Sequence, residues 1–210
     1  MRLILASTSP RRHELLTLLG VPFEVVAPTF IEQVQPHLSA DAQAVEFAAG
    51  KARSCVSSCP DALILGSDTL INLGSEVLGK PVDLAGAEVM LRRLAGQTHR
   101  IVTAVALAGP EPERCDVRLA EVLVTMKPLN EATLANYLRT GDSLGKAGAY
   151  SIQGGGAAFI ERIEGDFTAA VGLPLQLVAE MLRQRGLSCP VDIDQLYASR
   201  PYPNWDRFRP

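Results

Sequence analysis

The chain alternates short apolar runs of strand length with longer segments of helical periodicity, and this alternation limits the folds that it can adopt. The first apolar run, residues 3–6, precedes a helical pattern that Ser9 and Pro10 open and Gly20 closes, as these residue types commonly do. The alternation continues to residue 186 in the order β-α-β-α-β-β-α-β-β-α-β-α. This order predicts an α/β protein with a mixed, twisted sheet, flanking helices and antiparallel hairpins.

Capping residues, glycines and prolines set the predicted boundaries. Helices are predicted over residues 39–58, 83–94, 130–138 and 174–186, and Ser39, Asp83 and Asn130 cap three of them. Strands are predicted over residues 23–26, 62–66, 100–107, 117–126 and 157–161, with a hairpin over 69–78. From residue 191 onward we expect an irregular tail that packs back on the protein through aromatic side chains, namely Tyr197, Tyr202, Trp205 and Phe208.

Length, composition and charge exclude several classes of protein. The 210 residues suit one large domain or two small lobes, and 47% hydrophobic with 20% charged residues is typical of a soluble globular protein. A formal net charge of −3 argues against broad nucleic-acid binding. The sequence has neither a membrane-length apolar stretch nor a signal-peptide pattern, so we expect a cytoplasmic protein without a membrane partner.

The four cysteines form no C-x-x-C pair, and no histidine stands at zinc-finger spacing. Cysteine without such a pattern usually behaves as a small apolar side chain. We therefore expect reduced, structural cysteines at positions Cys55, Cys59, Cys115 and Cys189.

Two adjacent arginines, Arg11 and Arg12, fall in the first turn of the first predicted helix. A cation there is unfavourable by roughly a few tenths of a kcal/mol, because the helix N-terminus is itself positive. An anion held by both guanidiniums, by backbone N–H groups and by the hydroxyl of Ser7 would remove the conflict. The alternative is a capped helix with two solvated arginines.

Two ionisable residues interrupt apolar segments. Asp68 follows the run 62–66 almost directly, and a poorly hydrated carboxylate there needs a metal ion, a cation or a reacting water. The alternative is a turn aspartate that bonds its own backbone. Lys51 interrupts a helix face of small apolar residues, and its ammonium either extends to water or points into a cleft.

Two glycine-containing segments carry further polar groups. The segment GSEVLGKP resembles a phosphate-binding loop, but Pro81 removes the required hydroxyl, so Lys80 is interpreted as a lone cation at a strand end. In LGKAGAYSIQGGG, the amide of Gln153 can pair with a base edge, or the segment is a flexible hairpin tip that also carries Lys146. Cations on four separate segments together with a carboxylate suit a polyphosphate with a divalent ion.

Six motifs occur in one order: ASTSPRRHELL, GSDT, VLGKP, GQTHRIVTAVAL, KAGAYSIQG and AVGLPL. Over about residues 3–187, the sequence resembles the Maf-type nucleoside triphosphate pyrophosphatases. The resemblance implies an elongated, two-lobed Maf/ITPase-like fold with a central cleft, with a single catalytic domain over residues 1–190 and a tail over 191–210. It implies hydrolysis of a nucleoside triphosphate to the monophosphate and pyrophosphate with a divalent cation (Mg, Mn or Co), and it leaves a homodimer open.

The resemblance also implies roles for single positions. Asp68 matches the general base of the family, and Asp68 and Glu32 match carboxylates near the metal. The phosphate-binding positions match Ser7, Arg11, Arg12, Lys51 and Lys80. The specificity positions of the dTTP/UTP subtype match Arg11, Thr69 and Gln153, whereas the 7-methyl-GTP subtype has a tryptophan at the first of them. The implied activity is hydrolysis of dTTP and UTP, with modified pyrimidine nucleotides left open, as nucleotide-pool housekeeping.

The chain departs from the family pattern at four positions. Gly50 and Gly145 stand where the family commonly has carboxylates, Glu46 where it has arginine, and Ala169 where it has asparagine. The first two departures remove carboxylates near the expected cleft. Two other functions therefore stay open: a nucleotide-binding regulator of cell division with little hydrolysis, and a small-molecule phosphatase that releases orthophosphate.

Overall fold

A computed structural model describes residues 1–35, 37–111 and 113–208 of the chain. The strands are β1 (Arg2–Ala6), β2 (Glu24–Val26), β3 (Ala62–Leu73), β4 (Glu76–Leu78), β5 (Thr98–Ala108), β6 (Cys115–Met126) and β7 (Ile160–Gly165). The α-helices are α1 (Pro10–Thr17), α2 (Ala40–Ser54), α3 (Leu84–Leu94), α4 (Glu131–Thr140), α5 (Phe167–Val171), α6 (Leu175–Gln184) and α7 (Ile193–Ser199). Short 3₁₀ helices form at Ala147–Ala149, Gly155–Phe159 and Trp205–Arg207.

The strands of the described residues form one mixed sheet in the order β2-β1-β3-β5-β6-β7, and β4 pairs with β3. Strand β1 lies parallel to both β2 and β3, and Ile4 is opposite Glu24 on one side and Ile64 on the other. The β3–β4 and β6–β7 pairs are antiparallel. The mixed α/β class predicted from the element order is therefore confirmed.

The chain divides into two compact units. Unit 1 comprises Met1–Thr69, Val102–Ala120 and Gly172–Ser199, and unit 2 comprises Leu70–Ile101, Glu121–Val171 and the chain from Arg200 onward. The core of unit 1 includes the fully buried side chains of Leu5, Leu16 and Ile64. In unit 2 the ring of Trp205 stacks on Phe167, with 5.7 Å between centroids.

Local capping signals match the observed helix starts. Ser39, Asp83 and Asn130 each accept a hydrogen bond from the backbone N–H three residues further on. Ser9 occupies the N-cap position of α1, but its side chain makes no capping bond. Helix α2 ends at Ser54, four residues before the predicted end.

Four elements differ from the prediction. Strand β3 is one 12-residue strand that continues into the hairpin with β4, where a shorter strand over 62–66 was predicted. Strand β7 begins at Ile160 because Gly155–Phe159 form a 3₁₀ helix. Helices α5 and α7 were not predicted, and α7 lies within the tail that we expected to be irregular.

Gly66 lets β3 approach α2 closely. A Cβ atom at this position would lie 2.8 Å from the backbone nitrogen of Ala52, nearer than side chains tolerate. The close packing brings Lys51 of α2 within reach of Asp68, two residues further along β3. No helix in the described ranges is long and apolar enough to cross a membrane.

Candidate active site

A buried lysine joins two carboxylates in unit 1. The Nζ atom of Lys51 lies 2.5 Å from Oδ1 of Asp68 and 2.6 Å from Oε1 of Glu32. The side chains of Lys51 and Asp68 are 9% and 8% exposed, whereas that of Glu32 is 47% exposed. Of the two alternatives for Lys51, the ammonium points inward and does not extend to water, because α2 turns it toward β3.

Asp68 lies inside β3 and not at a strand end as predicted, since the strand continues to Leu73. Its Oδ1 atom bonds to Lys51, whereas its buried Oδ2 atom has no partner among the residues that the structure describes. A buried carboxylate oxygen without a partner is costly. The site therefore leaves one oxygen of Asp68 available to a water molecule, a cation or a ligand.

The first-turn arginine Arg12 is held by two hydrogen bonds within unit 1. Its Nε atom donates to the carbonyl oxygen of Gly172 at 3.0 Å, and its Nη2 atom donates to Oγ1 of Thr69 at 3.3 Å. Burial lowers the pKa of Arg12 from its ordinary value, and the carboxylates of Asp68 and Glu32 oppose that shift. These two carboxylates offset a cation that the α1 dipole disfavours.

Both groups that accept from Arg12 are themselves fixed by a hydroxyl. Ser67 donates to the same Gly172 carbonyl at 3.0 Å, and Oγ1 of Thr103 lies 2.9 Å from Oγ1 of Thr69. Ser67 and Thr103 are completely buried. We call the group formed by the Gly172 carbonyl, Thr69, Ser67 and Thr103 the Arg12 clamp.

Gly172 is required at its position in the clamp. Its φ of +127° is a conformation that other residues rarely adopt, and a Cβ atom would lie 3.4 Å from Oγ1 of Thr69 and 3.7 Å from Nε of Arg12. A side chain here would strain the backbone, whereas its contacts with Thr69 and Arg12 would be at ordinary van der Waals distances.

Gly172→Ala is therefore expected to destabilise the protein by about 2 kcal/mol through backbone strain. For a chain of this size the melting temperature should fall by about 4–8 °C. Thermal unfolding followed by circular dichroism measures the change. Gly96→Ala is the matched control, because the φ of Gly96, +69°, lies in the left-handed region that other residues occasionally adopt, and no neighbour lies within 4 Å. A Gly172→Ala variant that unfolds no earlier than Gly96→Ala would contradict the assignment.

Ser7 and Arg11, the other predicted site residues near the start of α1, also belong to unit 1. The buried Ser7 hydroxyl accepts a hydrogen bond from the backbone N–H of Ser9 at 3.1 Å and so shapes the entry to α1. Arg11 is half-buried and makes no ion pair with the described residues. Its charge lies near enough to Arg12 to contribute to lowering that residue's pKa.

Lys80 and Gln153, the two remaining predicted site residues, belong to unit 2. Lys80 is exposed and Gln153 is half-buried. The segments that carry them are joined locally, because the backbone N–H of Gly148 donates to the carbonyl oxygen of Gly79 at 3.2 Å. Their roles stay predictions.

Two of the four positions that depart from the family pattern, Gly50 and Gly145, have local structural reasons. At Gly50, a Cβ atom would overlap the ring of Phe30, so an aromatic side chain occupies the space beside α2. At Gly145 the φ is +70°, which favours glycine. The neighbouring Lys146 instead pairs with Asp142 at 2.9 Å. Burial opposes ionisation of Asp142, but its hydrogen bonds with Lys146 and Ser151 hold its pKa below the ordinary value.

The cysteines and histidines take no part in this group of residues. All four cysteines are free, in agreement with the prediction, and burial raises the thiol pKa of Cys55, Cys115 and Cys189. In unit 2, Nε2 of the buried His99 lies 2.6 Å from the hydroxyl of Tyr150, and burial lowers the pKa of His99 to about 4. The neutral His99 is therefore a hydrogen-bonding core residue.

Sequence reasoning missed three residues of the clamp: Ser67, Thr103 and Gly172. Each lies inside a quoted motif, GSDT, GQTHRIVTAVAL or AVGLPL. Motif membership was the available signal, but nothing in the sequence joined these motifs to Arg12.

Together, the buried Lys51–Asp68 pair and the clamped arginine on an α/β scaffold define a class of protein with a site suited to a phosphorylated anion. The chain belongs to the Maf-like protein family, whose pattern matches residues 2–185, so the predicted family is confirmed. The "dTTP/UTP pyrophosphatase" of Symbiobacterium thermophilum is 45% identical over 88% of this chain and 94% of its own length. The protein of the same name from Escherichia coli O157:H7 is 46% identical over 86% of this chain and 91% of its own length.

Among solved structures, the Staphylococcus aureus Ham1 protein matches with 13% identity and a TM-score of 0.39, covering 60% of this chain and 72% of that one.

Proposed function

We propose that this protein is a nucleoside triphosphate pyrophosphatase that hydrolyses dTTP and UTP to the monophosphate and pyrophosphate. The observation that carries the proposal is the buried Asp68, with one oxygen on Lys51 and the other unpartnered, beside the clamped Arg12. The name shared by relatives with 40–46% identity supports the choice of dTTP and UTP.

The cations of unit 1 would bind the phosphates. Arg12 uses one edge of its guanidinium on the clamp, so its remaining N–H groups are available to phosphate oxygens. Arg11 and the backbone N–H groups at the start of α1 add positive potential nearby. For Lys80 and Gln153 we propose the phosphate-binding and base-binding roles that the family resemblance implies.

Asp68 would act as the general base. Because Oδ1 is bonded to Lys51, Oδ2 is the oxygen that can accept a proton from water. The activated water attacks the α-phosphorus, the bond from this phosphorus to the bridging oxygen breaks, and pyrophosphate leaves. Lys51 holds the carboxylate in one orientation throughout.

The two carboxylates fit a divalent cation. Magnesium and similar hard ions bind carboxylate oxygens and often take only one or two from the protein, with phosphates and water as the other ligands. Asp68 and Glu32 offer such oxygens, and no group of three or more candidate ligands exists in the described ranges. We propose that these two residues hold the ion, which would neutralise phosphate charge and polarise the phosphoryl group when bound.

A nucleotide panel with product identification tests the function. With Mn²⁺ present, dTTP and UTP should yield the monophosphate and pyrophosphate, and kcat/KM for purine triphosphates should be at least about tenfold lower, as expected from differential contacts to the base. Chelation of the metal should abolish turnover. An Asp68→Asn sample prepared in parallel controls for contaminating hydrolases.

Two outcomes of the panel would replace this proposal. Tight dTTP binding without any pyrophosphate release would favour a nucleotide-binding regulator. Orthophosphate as the first product would favour a small-molecule phosphatase, because cleavage would then occur at the terminal phosphorus.

A further inference from the structure

We propose that Thr103 is a positioning residue that acts through Thr69 to fix the guanidinium of Arg12. The inference rests on the proposed function, since it assigns Arg12 to the phosphates. Thr103 itself is completely buried and therefore cannot reach a substrate. Any effect that it has on nucleotide binding must pass through its neighbours.

The hydroxyl of Thr69 links Arg12 to Thr103 by hydrogen bonds. Its hydroxyl oxygen accepts from Nη2 of Arg12 at 3.3 Å and lies 2.9 Å from the hydroxyl of Thr103. In either direction of the second bond, Thr103 selects the rotamer of Thr69 that faces Arg12. A β-branched side chain has few χ1 rotamers, so one such bond is sufficient to hold it.

The adjacent nitrogen of Arg12, Nε, is held by a second pair of residues in the same way. Nε of Arg12 donates to the Gly172 carbonyl, to which Ser67 also donates. Two contacts on adjacent nitrogens fix both the position and the plane of a guanidinium, because its N–H groups form a rigid fork. The Thr103–Thr69 pair therefore helps to set the plane of the guanidinium, and with it the direction in which the remaining N–H groups of Arg12 donate to phosphate.

Fixing this plane matters because an arginine side chain otherwise has many rotamers. Ordering such a side chain only when the nucleotide arrives would weaken nucleotide binding, because the lost rotamer freedom opposes it. The carboxylates of Asp68 and Glu32 lie near enough to attract the guanidinium electrostatically. We infer that the clamp keeps Arg12 oriented toward phosphate despite this attraction.

The test compares Thr103→Val, which has nearly the same shape but no hydroxyl, with Thr103→Ser, which keeps the hydroxyl. Loss of one hydrogen bond should raise the KM for dTTP and the dissociation constant for inorganic tripolyphosphate about three- to tenfold. Thr103→Ser should stay within about twofold of the natural chain, since it retains the bond. Thr125→Val is the matched control, because Thr125 forms an exposed threonine–threonine bond with Thr98 in unit 2. Thr103→Ala replaces the valine variant if that variant does not fold.

An Arg12→Ala background separates positioning from a general structural role. If Thr103 acts through Arg12, adding Thr103→Val to Arg12→Ala should cause no further loss of tripolyphosphate binding. An equal loss in both backgrounds, or no loss in the natural background, would overturn the proposal. Failure of the natural chain to release pyrophosphate from dTTP would instead count against the proposed function, and the tripolyphosphate measurements would still decide the role of Thr103.

Discussion

Asp68→Asn should lower the rate of pyrophosphate release from dTTP by about two to four orders of magnitude, the usual contribution of a general base. Asparagine has the same shape and can still accept a hydrogen bond from Lys51, but it cannot take a proton from water. Because Lys51 keeps its second carboxylate partner, Glu32, the fold should persist. The variant should therefore bind nucleotide and turn it over very slowly.

Two measurements on the same sample decide this prediction. Pyrophosphate release reports turnover, and calorimetric titration with a non-hydrolysable dTTP analogue reports binding. Asp61→Asn is the matched control, because Asp61 is an exposed aspartate directly before the first residue of β3. Turnover by Asp68→Asn within tenfold of the Asp61→Asn control would remove Asp68 from the role of base.

Those parts of the fold with local causes could be predicted from the sequence. Ser39, Asp83 and Asn130 cap helices with their own side chains, and all three caps are observed. The information for each cap lies within four residues, so no knowledge of the tertiary structure was needed. The order of strands and helices was likewise sufficient to predict a mixed α/β sheet.

The candidate site depends on contacts that the sequence does not display. Asp68 and Lys51 are 17 positions apart, and Arg12 and Gly172 are 160 positions apart. The unusual position of each charged residue was visible as an interrupted apolar run, but its partner was not. Residues that hold others in place, such as Thr103, have no such signal, because a buried threonine in a strand is ordinary.

The interpretation of the two glycine departures also needed the structure. The sequence suggested that Gly50 and Gly145 weaken the site by removing carboxylates. The structure instead shows the ring of Phe30 in the space beside Gly50. It also shows an ion pair between Lys146 and the carboxylate of Asp142. A missing side chain can reflect an occupied space, which becomes visible only when the neighbouring elements are packed.

Lys51→Met should destabilise the protein and also remove activity. Methionine fits the volume, but it leaves the buried carboxylate of Asp68 without its ion-pair partner. Breaking a buried pair from one side typically costs about 3–5 kcal/mol, so the melting temperature should fall by about 6–20 °C for a chain of this size. Differential scanning calorimetry measures this loss, and Arg53→Met on the exposed face of α2 is the control, with an expected change within about 0.5 kcal/mol.

The double variant Lys51→Met/Asp68→Asn separates the charge from the packing. Once both charges are absent, the unpaired buried carboxylate no longer exists, and most of the lost stability should return. Activity should not return, because the base is missing. This split, in which stability recovers and turnover does not, follows only if Asp68 is charged, buried and paired with Lys51. A double variant as unstable as Lys51→Met would show that the lysine stabilises α2 against β3 by packing alone, and the assignment of Lys51 as the partner of a catalytic carboxylate would then be wrong.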